Sequence, residues 1–190
     1  MKRITFLLVA VATLAGVVAF TAPTSRRAAA QEAAPVFGIN IPPGYRDWGM
    51  ISVAHVGGNL NDLRVKLGND VAIKAYREGK LPFPDGTIIA RLAWRQVTSE
   101  ENNIILRRTL ERGGLSPEQT TKLLAESFVA GPATNVQFMV KDSRKYASTG
   151  GWGFAQFTNG KPDVEAAHNT CFSCHAPARD RDFVFTRYAP

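Results

Sequence analysis

Thr87-Ile88-Ile89-Ala90-Arg91-Leu92-Ala93-Trp94-Arg95 is the clearest strand in the chain. Ile88, Ala90, Leu92 and Trp94 make one apolar face, and Thr87, Ile89, Arg91, Ala93 and Arg95 make a mixed one. Towards the N-terminus, Leu81-Pro-Phe-Pro-Asp-Gly86 reads as a turn, because its prolines cannot serve a ladder. Before it, Asn69-Asp70 caps a short helix, Val71 to Glu78, which Gly79 stops. Trp48 to Val56 mixes aromatic, β-branched and small residues and predicts a strand broken by Gly57-Gly58. Residues 31–44 read as a flexible lead-in ending in a turn.

Towards the C-terminus, residues 99–130 change character. Ile104, Ile105, Leu106 and Leu110 predict one amphipathic helix ended by Gly113-Gly114, and a second opens with Ser116, Pro117 and Gln119 in N-cap, N1 and capping-box positions. This pair is expected to be a helical hairpin inserted between strands. Strand signals return at Asn135 to Lys141 and, after a helical turn over Asp142 to Ala147, at Trp152 to Phe157. Asp163 to His175 is expected to be a helix, and Phe183 to Tyr188 a short closing strand.

That last helix carries Cys171-Phe172-Ser173-Cys174-His175, which uses both cysteines of the chain. C-x-x-C-H is the attachment pattern of c-type haem: two thiols one helical turn apart add to the two vinyl groups, and the next imidazole lies under the iron. It predicts one covalent haem c per chain, with Cys171 and Cys174 as attachment points and His175 as iron ligand. Three other readings compete. A disulfide would close a very short loop and stabilise little. A zinc site recruiting His168 would crowd His168, Cys171, Cys174 and His175 into eight residues, with no second segment to close a tetrahedron. A thioredoxin-like pair needs a strand-helix-strand unit beside it, and none precedes this one.

The 190 residues allow one domain, and the 45% hydrophobic content is ordinary for a globular core. The start reads as an export signal: Lys2 and Arg3, the apolar run Ile4 to Phe20, then Ala28-Ala29-Ala30 before Gln31. Cleavage after Ala30 is expected, placing the protein in the periplasm; an uncleaved membrane anchor is the alternative, since the run is long for a signal core. The two readings support each other, because c-type haem is attached outside the cytoplasm. Without Lys2, Arg3, Arg26 and Arg27 the formal charge of +7 falls to +3, too weak and dispersed for a nucleic-acid partner.

Several segments together resemble the cytochrome P-460 family, which includes cytochrome c-prime-beta. They are Tyr45-Arg46-Asp47-Trp48, Phe83-Pro84-Asp85-Gly86, Val140-Lys141-Asp142-Ser143, Trp152-Gly153-Phe154, the haem motif, and Phe183-Val184-Phe185-Thr186-Arg187-Tyr188. The resemblance spans about residues 42–190 apart from the helical insertion. It implies an α+β fold, a mainly antiparallel sheet with peripheral helices and a C-terminal helix carrying the haem motif, often as a homodimer. In members that oxidise hydroxylamine, a lysine after the Asp-Gly turn is bonded to the porphyrin edge. Counting from Gly86 this chain has Arg91 there, and a guanidinium is a poor nucleophile. Arg64 falls where those members have a distal-side arginine.

Met50, Met139, His55 and His168 are the obvious candidates for a sixth iron ligand. The reading these residues favour is five-coordinate iron with His175 proximal and an open, mostly apolar far side, binding NO, CO or small nitrogen oxides, with Arg64 or Arg91 as a hydrogen-bond donor to the ligand. The alternatives are a hydroxylamine-oxidising enzyme and a six-coordinate electron carrier exchanging electrons with a periplasmic partner.

Overall fold

The computed structural model describes residues 38–164 and 170–189. The expected export signal, residues 31–37 of the lead-in, His168 and the early turns of the expected haem helix lie outside them. The strand that opened the reading is β3 (Ile88–Val97), near the centre of an antiparallel sheet ordered as in the chain. The other strands are β1 (Gly49–Val56), β2 (Asp62–Gly68), β4 (Val129–Lys141), β5 (Trp152–Thr158) and the two-residue β6 (Lys161–Pro162), of which β2 and β4 flank β3. The expected α+β class holds.

Side-chain alternation gives the sheet two different faces. On the first, the rows Leu67–Ala90–Phe138–Ala155 and Val65–Leu92–Val136–Phe157 run across β2 to β5 in direct register. Ile39, Tyr45 and Trp48 pack onto this face, with Tyr45 edge-on to Phe138 at 5.2 Å. Ile39 is only 4% exposed, so the lead-in is anchored from that residue onward. The flexibility expected through residue 44 is lost because an apolar sheet face requires a cover.

The second face is covered in part by α1 (Asp70–Arg77), the turn at residues 82–86, and the C-terminal stretch from α4 (Cys171–His175) to Ala189. Asn69 caps α1 by accepting from the Ala72 amide at 3.0 Å. It also accepts from the Ile88 amide at 3.1 Å and donates to the Gly86 carbonyl at 2.8 Å. One side chain thereby ties the helix to the start of β3. Helices α2 (Glu100–Arg112) and α3 (Pro117–Ala125) form the expected hairpin, and Ser116 and Gln119 form the expected capping box.

Two expectations fail. β2 carries no strand in the sequence reading, yet it pairs along its length with both β1 and β3. Phe183 to Tyr188 is not a strand. Asp182 and Phe183 take left-handed backbone angles (φ 53° and 63°), which turn the chain off a strand path. Its apolar residues serve burial instead, Phe183 and Val184 being 8% and 4% exposed.

Candidate haem site

The uncovered part of the second face is the floor of a cavity of about 780 Å³, within the range of small-molecule and cofactor sites. One end is apolar: Ile89, Met139 and Phe154 form a cross-sheet row, facing Cys171, His175, Val184 and Phe185. The other end is charged, with Asp62, Arg64, Lys66 and Arg91 beside Asn135, Gln137 and Gln156. The expected mostly apolar pocket therefore has a polar half.

His175 sits at the apolar end. Its Nδ1–H donates to the Phe183 carbonyl at 2.7 Å, and its ring lies between Phe154 and Phe185, centroids 5.1 and 4.9 Å away. The bond to a carbonyl puts the ring's proton on Nδ1 and leaves the Nε2 lone pair available. Burial pushes the imidazole pKa below its ordinary 6.5, with the Phe183 hydrogen bond opposing, and both the neutral state and the tautomer suit a metal ligand.

The Phe183 carbonyl is itself held in place. Asp182 accepts from Lys141 Nζ at 2.7 and 2.9 Å and from the Phe83 amide at 2.8 Å. Lys141 also donates to the Gly150 carbonyl at 3.0 Å and lies 5.0 Å from the Trp152 ring. This buried pair joins the end of β4 to the loop bearing Phe183. Gly150 (φ 68°) completes the fit, since a Cβ there would overlap the Phe183 ring.

Cys171 is half-buried and lines the cavity, whereas Cys174 is exposed; no disulfide joins them. Burial pushes the Cys171 thiol pKa up, consistent with a thiol facing apolar surroundings. The all-antiparallel sheet removes the thioredoxin reading. Among the described residues no group of three or more His, Cys, Asp or Glu could hold a metal ion; the zinc alternative needs His168, which lies outside them. The donor set and the cavity beside it fit a thioether-bound haem: two thiols one turn apart, a neutral imidazole with a free Nε2, and a void against the sheet.

Arg64 and Arg91, candidates from the sequence, come together round one carboxylate. Asp62 accepts from Arg64 Nε at 2.6 Å and Nη2 at 3.1 Å, and from Arg91 Nη2 at 3.0 Å. Arg91 also donates to Asn135 at 2.9 Å, while its buried Nε has no partner. Burial lowers the guanidinium pKa to about 10, so it remains charged at neutral pH. Of the sixth-ligand candidates, Met139 lines the cavity, Met50 is 53% exposed, and His55 is exposed and stacks on Phe128 at 6.4 Å. The sequence reading missed Lys66, which lies directly opposite Arg91. Alternation from Asp62 through Arg64 would have found it, had β2 been recognised.

A family model described as Cytochrome P460 matches residues 42–186. No curated protein matches the chain.

Proposed function

The chain belongs to the cytochrome P460 family and is a mono-haem c-type cytochrome, and from that premise we propose that it is an exported protein whose haem binds a small diatomic gas or nitrogen oxide at five-coordinate iron. Cys171 and Cys174 are the proposed attachment thiols and His175 the proposed proximal ligand. Haem c, when bound, supplies an iron centre with one position for an exogenous ligand.

The observation that carries the reading is the fixed imidazole: Nδ1–H is committed to the Phe183 carbonyl, so Nε2 is oriented without rearrangement. Phe154 and Phe185 pack against the ring, with centroids 5.1 and 4.9 Å away. At the other end of the cavity Arg64 and Arg91 offer charge-assisted donors, anchored by Asp62, to a polar ligand. Arg91 is committed to Asp62 and Asn135 and stays charged, which weighs against the hydroxylamine-oxidising alternative.

Export to the periplasm, a redox partner there and a homodimer complete the proposal. They rest on the signal-like start and the family resemblance. Ultraviolet-visible spectra of the purified haem-loaded protein test the coordination: high-spin ferric and ferrous bands that shift on adding NO or CO are expected. A low-spin ferrous spectrum without added ligand overturns it. One observation favours a second reading, an electron carrier, because Met139 faces the same cavity as His175. In that case Met139→Ala converts a low-spin spectrum to high-spin.

A further inference from the structure

We infer that Arg64, Lys66 and Arg91, gathered round Asp62 on the cavity floor, form a binding site for one small oxyanion. Asp62, Arg64 and Lys66 alternate along β2 and so share a face, and Arg91 enters from β3 directly opposite Lys66. Like charges directly opposite each other across a ladder are destabilising, and among the described residues Asp62 offsets this pair in part, by pairing with Arg91. The single carboxylate is already committed. One Asp62 oxygen takes Arg64 Nε, and the other takes Nη2 of both arginines. Among the described residues Lys66 has neither an ion pair nor a hydrogen bond.

Three cations gathered round one carboxylate, with the exposed Arg95 lining the same cavity opposite Asp62 as a fourth, leave an excess of three positive charges. All these side chains line the cavity, and Asp62, Arg64 and Arg91 are mostly withdrawn from solvent, at 6%, 19% and 17% exposure. Reduced solvation there makes an uncompensated charge costly and an incoming anion correspondingly favourable. The buried, unpartnered Arg91 Nε is a further donor without an acceptor. The Lys66 pKa is lowered by burial first and then by Arg64 and Arg91, with Asp62 opposing. A carboxylate or nitrite-like anion matches this donor set, with a guanidinium on one side and an ammonium on the other.

Two sources supply that chemistry: a carboxylate of the haem itself, or a free anion. The experiment uses the haem-loaded protein, with Lys66→Met and Arg64→Gln as variants. Sulfate, which does not compete for haem iron as nitrite does, is titrated by calorimetry at low ionic strength. Saturable one-to-one sulfate binding, weakened tenfold or more in both variants, supports the site with a free anion as occupant. No sulfate uptake, but a pH-dependent step in the midpoint potential displaced in both variants, supports it with a haem carboxylate as occupant. No sulfate uptake, together with potential-against-pH curves superimposable on the wild type, overturns the inference. Sulfate uptake does not involve the iron, and the displacement of the pH step is read between proteins with the same iron ligands, so failure here is distinct from failure of the five-coordinate reading.

Discussion

At the scale of single residues, partial burial has opposite consequences for His175, at the apolar end of the cavity, and Lys66, at the charged end. Burial favours the neutral His175 imidazole, the form a ligand requires; burial penalises the Lys66 ammonium, which Asp62 offsets only in part. His175→Ala is expected to keep covalently bound pigment through Cys171 and Cys174 while losing the native ferrous spectrum. Added imidazole should restore it, as visible spectra of the variant will show. For Lys66 the sign follows from its lowered folded-state pKa. Between that value and the ordinary 10.5 the unfolded chain binds the additional proton, so stability rises with pH across the window. Below it the folded chain carries a constant penalty. Lys66→Met in oxyanion-free buffer is therefore expected to raise stability at pH 7, by less than removal of a fully buried charge would, because solvent screens the exposed part of the ammonium. The gain should shrink as pH approaches 10.5, in denaturation curves recorded along a pH series. The Cys-x-x-Cys-His chemistry was legible from its spacing alone, whereas the role of Lys66 was not. Its neighbours in the chain are Val65 and Leu67, and the group that gives it meaning, Arg91, is on another strand.

At the scale of elements, the loop after α4 matters more than its lack of regular structure suggests. Asp182 and Lys141 are 8% and 6% exposed at the side chain, and Asp182 orients the turn that presents the Phe183 carbonyl to His175. Asp182→Asn preserves size and tolerance of the left-handed backbone but leaves Lys141 buried without its counter-charge. The expected cost is about 3 kcal/mol in urea denaturation. The iron–histidine Raman band of the ferrous protein should also shift, a readout that a purely structural pair would not move. In α3, the Ser116 hydroxyl accepts from the Gln119 amide at 3.2 Å, and the Gln119 side chain accepts from the Ser116 amide at 2.9 Å. Ser116→Ala is expected to cost about 1 kcal/mol in the same assay with haem spectra unchanged. This cap was legible because its groups lie three residues apart. The closing stretch misled because Phe183, Val184 and Phe185 have strand composition, but the burial of Phe183 and Val184 accompanies the ion pair rather than a ladder.

At the scale of the whole molecule, the sheet divides the labour. One face is sealed by residues 39–48 and is structural; the other holds the cavity between β2, β3, β4, β5 and the C-terminal stretch. The α2–α3 hairpin lies outside both cores, and Val97 pairs with Val129 across its base. Replacing residues 99–127 with a short turn is therefore expected to yield a folded protein with the wild-type ferric spectrum; loss of pigment in the shortened protein would show that the hairpin supports the site. By itself, the sequence determined whatever depends on neighbours within a few residues: the alternation of β3, the caps of α1 and α3, the hairpin, and the pair of thiols with an adjacent imidazole. Tertiary structure alone decided that β2 is a strand, that Arg64 and Arg91 share one carboxylate with Lys66 opposite Arg91, and that Phe183 fixes the tautomer of His175. The physical reason is range. Periodicity and capping are set by local backbone geometry, while charge compensation and ligand orientation depend on groups 29 residues apart, as for Asp62 and Arg91, or 41 apart, as for Lys141 and Asp182.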